Sequence, residues 1–207
     1  FTDSTDALGV RNSDWAWGAV GEDLDNDGWR DLAVVNGYET PAMLDANSKA
    51  MFGDAFDSFV EPRPTLWRGG ADGPWGESAA EVGFVGTGLA KSLATVDVDG
   101  DGDLDILQYN YGALIGNYND GSGNMTSLPL ATVPAGQPRT VLVRDINGDN
   151  FPDAVWALSN GYTHQTYYNL NLGNGQLGGS SLIDPTAESA AAMVYEDISN
   201  DAVPDLI

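Results

Sequence analysis

The chain has 207 residues, 31 acidic and 8 basic, for a formal net charge of −23. That field excludes nucleic-acid binding, which needs a basic footprint, and it repels an anionic membrane surface. With 42% hydrophobic residues, 6 Trp, 8 Tyr and 6 Phe, the chain is nonetheless built to bury a core, and it has no Cys to staple one. No run approaches the roughly 18 apolar residues of a membrane span.

In chain order, residues 1–10 predict a strand that closes a sheet begun earlier. Trp17-Gly-Ala-Val20 predicts the next strand. It is followed by an acidic loop, Asp23-Leu-Asp25-Asn-Asp27-Gly28-Trp29-Arg-Asp31, and by a second strand, Leu32-Ala-Val-Val35. Residues 38–64 predict a helical insertion. Thr40-Pro41 reads as a cap with Pro at the first helical position, an apolar stripe runs from Leu44 to Phe59, and Pro62 and Pro64 end it. Leu66-Trp-Arg68 then leads into Asp72-Gly73, a hairpin signal.

The same order returns twice. Leu93–Val96, the loop Asp97-Val-Asp99-Gly-Asp101-Gly102-Asp103-Leu-Asp105 and Ile106–Tyr109 precede a turn at Asp120-Gly121. Thr140–Val143, the loop Asp145-Ile-Asn147-Gly-Asp149-Asn150-Phe151-Pro-Asp153 and Ala154–Ala157 precede a turn at Asn174-Gly175. A last strand, Ala192–Tyr195, leads to Asp197-Ile-Ser199-Asn-Asp201-Ala202-Val203-Pro-Asp205, and the chain stops at Ile207. The loops start at 23, 97, 145 and 197, hence spacings of 74, 48 and 52. Repetition at that period indicates a propeller, solenoid or array.

The nine-residue loop has the chemistry of a cation site. Oxygen-bearing side chains recur at its positions 1, 3, 5 and 9, and carboxylates packed so closely repel unless a cation lies among them. The predicted ligands are Asp23, Asp25, Asp27 and Asp31; Asp97, Asp99, Asp101 and Asp105; Asp145, Asn147, Asp149 and Asp153; and Asp197, Ser199, Asp201 and Asp205. The backbone carbonyls of Trp29, Asp103, Phe151 and Val203 would add an oxygen each. An all-oxygen set suits Ca2+. An EF-hand would require Glu at position 12, where Val34, Gln108 and Trp156 stand. Gly or Asn at position 6 permits the positive φ of the curl; Ala202 does not, so the fourth loop is expected to bind weakly. The aliphatic residue at position 2 (Leu24, Val98, Ile146, Ile198) is expected to point into the core.

Two hairpins per repeat make four antiparallel strands in about 50 residues, the content of a propeller blade. The expected fold is all-β, a single propeller region over 1–207. Blade one covers about 15–86 with the insertion 38–64, blade two 90–134 and blade three 138–187. Residues 1–10 and 190–207 are partial blades, so the chain is expected to be part of a longer propeller. Trp17, Trp67, Trp75 and Trp156 are expected to fill the space between blades, leaving Trp15 and Trp29 as candidates for exposure and sugar stacking.

Trp15-Ala-Trp-Gly18, the first acidic loop, Val35-Asn-Gly37 and Arg63-Pro64-Thr-Leu-Trp67-Arg68 together resemble the FG-GAP/VCBS repeats of integrin α-like propellers, in particular the proteins related to cartilage acidic protein that often carry an ASPIC/UnbV tail. The resemblance implies several blades, structural Ca2+ in the blade loops, an extracellular location, and adhesion or binding rather than catalysis. The expected partner is a protein or glycan ligand at the cell exterior. One alternative is a structural subunit of a surface layer or filament, self-associating through incomplete blade edges. Another is a calcium-dependent polysaccharide-active enzyme. No nucleophile elbow or zinc motif supports it, and the single histidine, His164, sits among residues of a strand surface or turn.

Overall fold

The computed structural model describes residues 2–13, 16–37, 50–51, 63–86, 90–159, 164–183, 193, 195–199 and 205–206. Of the expected helical insertion, residues 38–49 and 52–62 lie outside them, as does Trp15.

The fold is all-β, organised in successive antiparallel sheets. The first has the order β1 (Ala16–Glu22), β2 (Asp31–Asn36), β3 (Thr65–Trp67). The second runs β4 (Ala90–Val96), β5 (Asp105–Asn110), β6 (Ala113–Asn119), β7 (Met125–Thr132). The third runs β8 (Gln137–Arg144), β9 (Asp153–Ser159), β10 (His164–Asn169), β11 (Ser181–Leu182). A last pair joins β12 (Tyr195–Glu196) to β13 (Asp205–Leu206). Every acidic loop connects the first and second strands of its sheet.

The first strands β1, β4 and β8 lie beside one another. Gly18 is the contact point between β1 and β4: a Cβ there would stand 2.8 Å from Leu93 and 3.3 Å from the Ser92 Cα. Between β4 and β8, the Val141 N–H donates to the Ser92 hydroxyl at 3.0 Å. Sheets thus stack face to face around their first strands, as propeller blades do.

This stacking explains the apolar runs. β5 reads Asp-Ile-Leu-Gln-Tyr-Asn and is buried at all six positions, because neighbouring sheets cover both of its faces. Alternation then divides its side chains. Ile106 joins Leu24, Val35, Leu66, Phe84 and Leu93 in a core between sheets one and two. Leu107 and Tyr109 join Leu114, Val141, Trp156 and Leu177 in a core between sheets two and three. There the Trp156 ring stacks on Tyr167 at 4.6 Å and meets Tyr109 edge-on at 5.2 Å. Such ring pairs contribute about 0.5–1.5 kcal/mol beyond area burial. The outer strand β7 alternates buried and exposed residues and tolerates Pro129, as an edge does.

Three expectations are corrected. Among the described residues 2–10 there is no strand: Thr5–Leu8 form a short helix, α1, closed by Gly9 at φ 75°. The Thr5 N–H donates to Asp3, a local bond that competes with strand pairing. Among the described residues sheet one has three strands, and beyond β3 it continues only as a Trp67–Glu77 bridge. Trp67 and Trp156 are buried as expected, but Trp17 is 49% exposed, as is Trp29. Trp17 is the extra residue of a bulge in β1, where the pairing shifts between Ala16 and Gly18, and the bulge turns its side chain out.

Candidate metal centres in the acidic loops

Each loop is curled by its own side chains before any ion is considered. The position-1 aspartate accepts backbone N–H groups from across the curl. Asp23 takes those of Asp27 (3.1 Å) and Gly28 (2.9 Å), Asp97 those of Gly100 (2.7 Å) and Gly102 (3.1 Å), and Asp145 those of Gly148 (2.7 Å) and Asn150 (2.8 Å). The curl needs positive φ at two places, not one. Position 6 has it as expected (Gly28, Gly102, Asn150). Position 4 has it too, in Asn26 (59°), Gly100 (81°) and Gly148 (84°). The restriction of position 4 to Asn and Gly in these three loops was the signal for it.

The curl brings carboxylates together. Asp23, Asp25 and Asp27 each place an oxygen within 4.8 Å of the others, and so do Asp97, Asp99 and Asp105. Asp31 in the first loop and Asp101 in the second stand outside these groups. In the third loop Asp145, Asp149 and Asp153 form no such three-acid group; Asn147 lies between, its Oδ1 accepting from the Asp149 N–H at 2.9 Å and its amide donating to the Asp149 carboxylate at 2.8 Å. In the fourth loop Asp201 and Val203 lie outside the described residues, Asp205 is described as part of β13, and Asp197 and Ser199 are exposed.

Position-2 side chains Leu24 and Val98 are buried as expected, whereas Ile146 is half-buried and Ile198 is 63% exposed.

Position 9 does more than the sequence pattern suggested. Asp31, Asp105 and Asp153 are all buried. One oxygen of each accepts the N–H of position 2: Leu24 at 2.9 Å, Val98 at 2.9 Å, Ile146 at 3.0 Å. The other accepts an N–H from the second turn of the same sheet: Gly69 at 2.8 Å, Asn119 at 2.8 Å, Asn171 at 2.7 Å. The acid clamps loop to turn. Burial pushes the Asp105 carboxyl up to about 6 and raises Asp31, against the pull of those N–H groups. Burial, with Asp101 beside it, also raises Asp99.

The next sheet then covers each of the first two loops. The Asn119 amide donates to the Leu24 carbonyl (2.6 Å) and the Leu104 carbonyl (3.1 Å). One repeat on, Asn171 donates to the carbonyls of Val98 (2.9 Å) and Pro152 (3.2 Å). Four residues after each Asn, a glycine meets the position-3 acid: a Cβ on Gly123 would be 3.0 Å from the Asp25 Cβ, and one on Gly175 2.9 Å from that of Asp99. Asn26 also donates to Asp103 (3.1 Å) and to the Gly121 carbonyl (3.2 Å). Sequence reasoning missed Asn119 and Asn171, although Asn117-x-Asn119 and Asn169-x-Asn171 open both turns alike.

One consequence bears on occupancy. The Asp25 side chain is only 15% exposed, the Arg68 guanidinium approaches one of its oxygens no nearer than 3.8 Å, and the other, Oδ1, is buried with no hydrogen-bond donor. A buried carboxylate oxygen without a partner is costly. A hard cation among all-oxygen donors would satisfy it, so the residues present fit Ca2+.

Comparison with known proteins agrees on the repeat. Residues 23–108, from the first acid of loop one into β5, match the FG-GAP-like repeat family model. No curated protein matches the chain in sequence. Among solved structures the chain is similar to a lectin of Agrocybe aegerita, described for its specific recognition of non-reducing terminal N-acetylglucosamine. The identity is 15% and the TM-score 0.41, over 91% of this chain and 59% of the lectin's length.

Proposed function

We propose that the chain is a calcium-stabilised propeller module of the cell exterior that binds a ligand or mediates adhesion. The observation that carries this is the Asp25 carboxylate, brought by its loop against Asp23 and Asp27, buried by the next sheet and left with an unpartnered oxygen. Asp23, Asp25, Asp27 and Asp31 with the Trp29 carbonyl would hold one ion, and Asp97, Asp99, Asp101 and Asp105 with the Asp103 carbonyl a second. Asp145, Asn147, Asp149 and Asp153 with the Phe151 carbonyl would hold a third. The bound ions supply charge neutralisation and cross-linking in a chain without Cys. Millimolar calcium outside the cell fills such sites without tight affinity, which supports an exterior location. The proposed role is binding and not catalysis: most of the acids that cluster accept backbone N–H groups of their own loops, and Asp25, which does not, is the one a cation would engage.

Thermal unfolding tests the calcium reading. A site filled at about 100 times its Kd adds about 2.7 kcal/mol, or roughly 5–10 °C in Tm for a chain of this size. Tm should fall by at least that much when EDTA replaces calcium, and equilibrium dialysis should count two or more ions per chain. An unchanged Tm in EDTA would overturn it.

A further inference from the structure

One position in the second turns changes its chemistry from repeat to repeat. Gly69, Asn119 and Asn171 give their N–H groups to Asp31, Asp105 and Asp153. The residues just before them are Arg68, Tyr118 and Leu170. The same place in the fold thus carries a cation in sheet one, a phenol in sheet two and an aliphatic chain in sheet three.

Arg68 and Tyr118 occupy matching seams. Each reaches out of its own sheet to the covering turn of the next. Nη2 of Arg68 donates to the Ser122 carbonyl at 3.1 Å, and the Tyr118 hydroxyl donates to the Gly175 carbonyl. Each also lies on the glycine that meets the position-3 acid: a Cβ on Gly123 would stand 2.8 Å from Nη2 of Arg68, and one on Gly175 3.5 Å from the Tyr118 ring. Arg68 is therefore held in place, with its Nε 3.8 Å from the Asp25 carboxylate. That separation is too long for a hydrogen bond, yet short enough for a full positive charge to act on the acid. The Arg68 side chain is 37% exposed and that of Asp25 15%, so water screens the pair only in part.

The charge acts in two directions. Asp23, Asp25 and Asp27 crowd one another, and a cation at their side offsets part of that repulsion while no ion is bound. The same cation repels a divalent ion that enters and shares Asp25 with it. At the matching place beside the second loop, where Asp97, Asp99 and Asp105 crowd in the same way, stands the uncharged Tyr118.

We propose that Arg68 is a built-in counter-ion of the first loop. It steadies that loop when calcium is low and makes it fill at higher calcium than the second. Arg68 is a positioning residue and not a ligand, because a guanidinium has donors only. This assignment rests on the calcium reading and concerns the regulation of that same site: two loops of one sequence pattern are set to different calcium levels by one residue outside the pattern.

The test uses terbium, a lanthanide that enters all-oxygen calcium sites and luminesces when excited through a nearby indole. Trp29 is the one tryptophan within the first three loops. The part of the signal that Trp29→Phe removes therefore reads loop one, and its displacement by calcium gives that loop's affinity. In the parent chain loop one should fill at about ten-fold more calcium than the first site counted by equilibrium dialysis. Arg68→Gln should raise the affinity of loop one at least about ten-fold and widen the gap in Tm between calcium and EDTA. Arg68→Lys keeps the charge and should stay within about three-fold of the parent. If Arg68 served packing alone, Arg68→Gln would lower Tm equally in both media and leave the affinity of loop one where it was. That result, an equal rise in Arg68→Lys, or a parent chain whose loop one fills first would overturn the proposal. A chain that takes up no calcium and melts alike in EDTA would overturn the calcium reading and this proposal with it. Calcium-dependent melting with parental loop-one affinity in Arg68→Gln would overturn this one alone.

Discussion

Two aspartates four residues apart in one loop do different work. Asp27 is exposed and accepts only the Trp29 N–H, at 2.8 Å. Asn would keep that bond and relieve repulsion from Asp23 and Asp25, so Asp27→Asn should hold or slightly raise stability in EDTA while shrinking the gain on adding calcium. Asp31 has both oxygens occupied, by Leu24 and Gly69. In Asp31→Asn one N–H would face an amide N–H, at a cost of about 1–3 kcal/mol with or without calcium. Urea denaturation in the two media checks both, and equal losses in EDTA would refute the division of roles. Asp105 adds a pH dependence. Its carboxyl titrates near 6 in the folded chain, above an unfolded value of about 3.9. In EDTA the folded state therefore binds the proton more readily between about pH 4 and 6, and Tm should rise as pH falls through 6. With calcium present the proton competes with the ion, and Tm should instead fall. The acids were legible in the sequence as loop members because their spacing is local. The clamp was not, since Gly69 lies 38 residues from Asp31 and nothing local relates them.

At the scale of elements, the strand–loop–strand units were readable because short apolar runs flank every loop, and β5 and β9 came out where those runs stood. What failed was what depends on neighbours. The first residues carried helix signals in Asp3, Ser4 and Gly9 that outweighed their apolar pattern. Trp17 looked like core until the bulge turned it out. The second turns are hairpin turns, as read, and what the sequence did not show is that they also cover the preceding loop. Asn119→Ala should therefore cost about 2–4 kcal/mol, since it leaves the buried Leu24 and Leu104 carbonyls without the donor they share. Gly175→Ala should be destabilising by more than about 1 kcal/mol, because φ is 74° and a Cβ would stand 2.9 Å from Asp99. It should also weaken calcium binding by the second loop. Gly179, with open space and no positive φ, is the control: Gly179→Ala should be neutral. Parallel losses at Gly175 and Gly179 would argue against the contact with Asp99.

At the scale of the molecule, stability is a sum of blades and of the seams between them, as in other repeat proteins. The charge of −23 belongs to that organisation: 14 of the 31 acids fall at loop ligand positions, and the 11 of these in the first three loops are each bonded to backbone or covered by the following sheet. The seams have a direction. In the two seams among the described residues, the loop of one sheet is finished by the turn of the next, and the partners Leu24 and Asn119 stand 95 residues apart, Val98 and Asn171 73 apart. A ribosome making roughly 5–20 residues per second would hold the first loop open for about 5–20 s before its closing amide emerged. The second loop would wait in turn for Asn171. The first two acidic loops thus mature in order along the nascent chain, each one sealed by the arrival of the blade behind it, and a chain paused between Leu24 and Asn119 would expose its first loop unfinished.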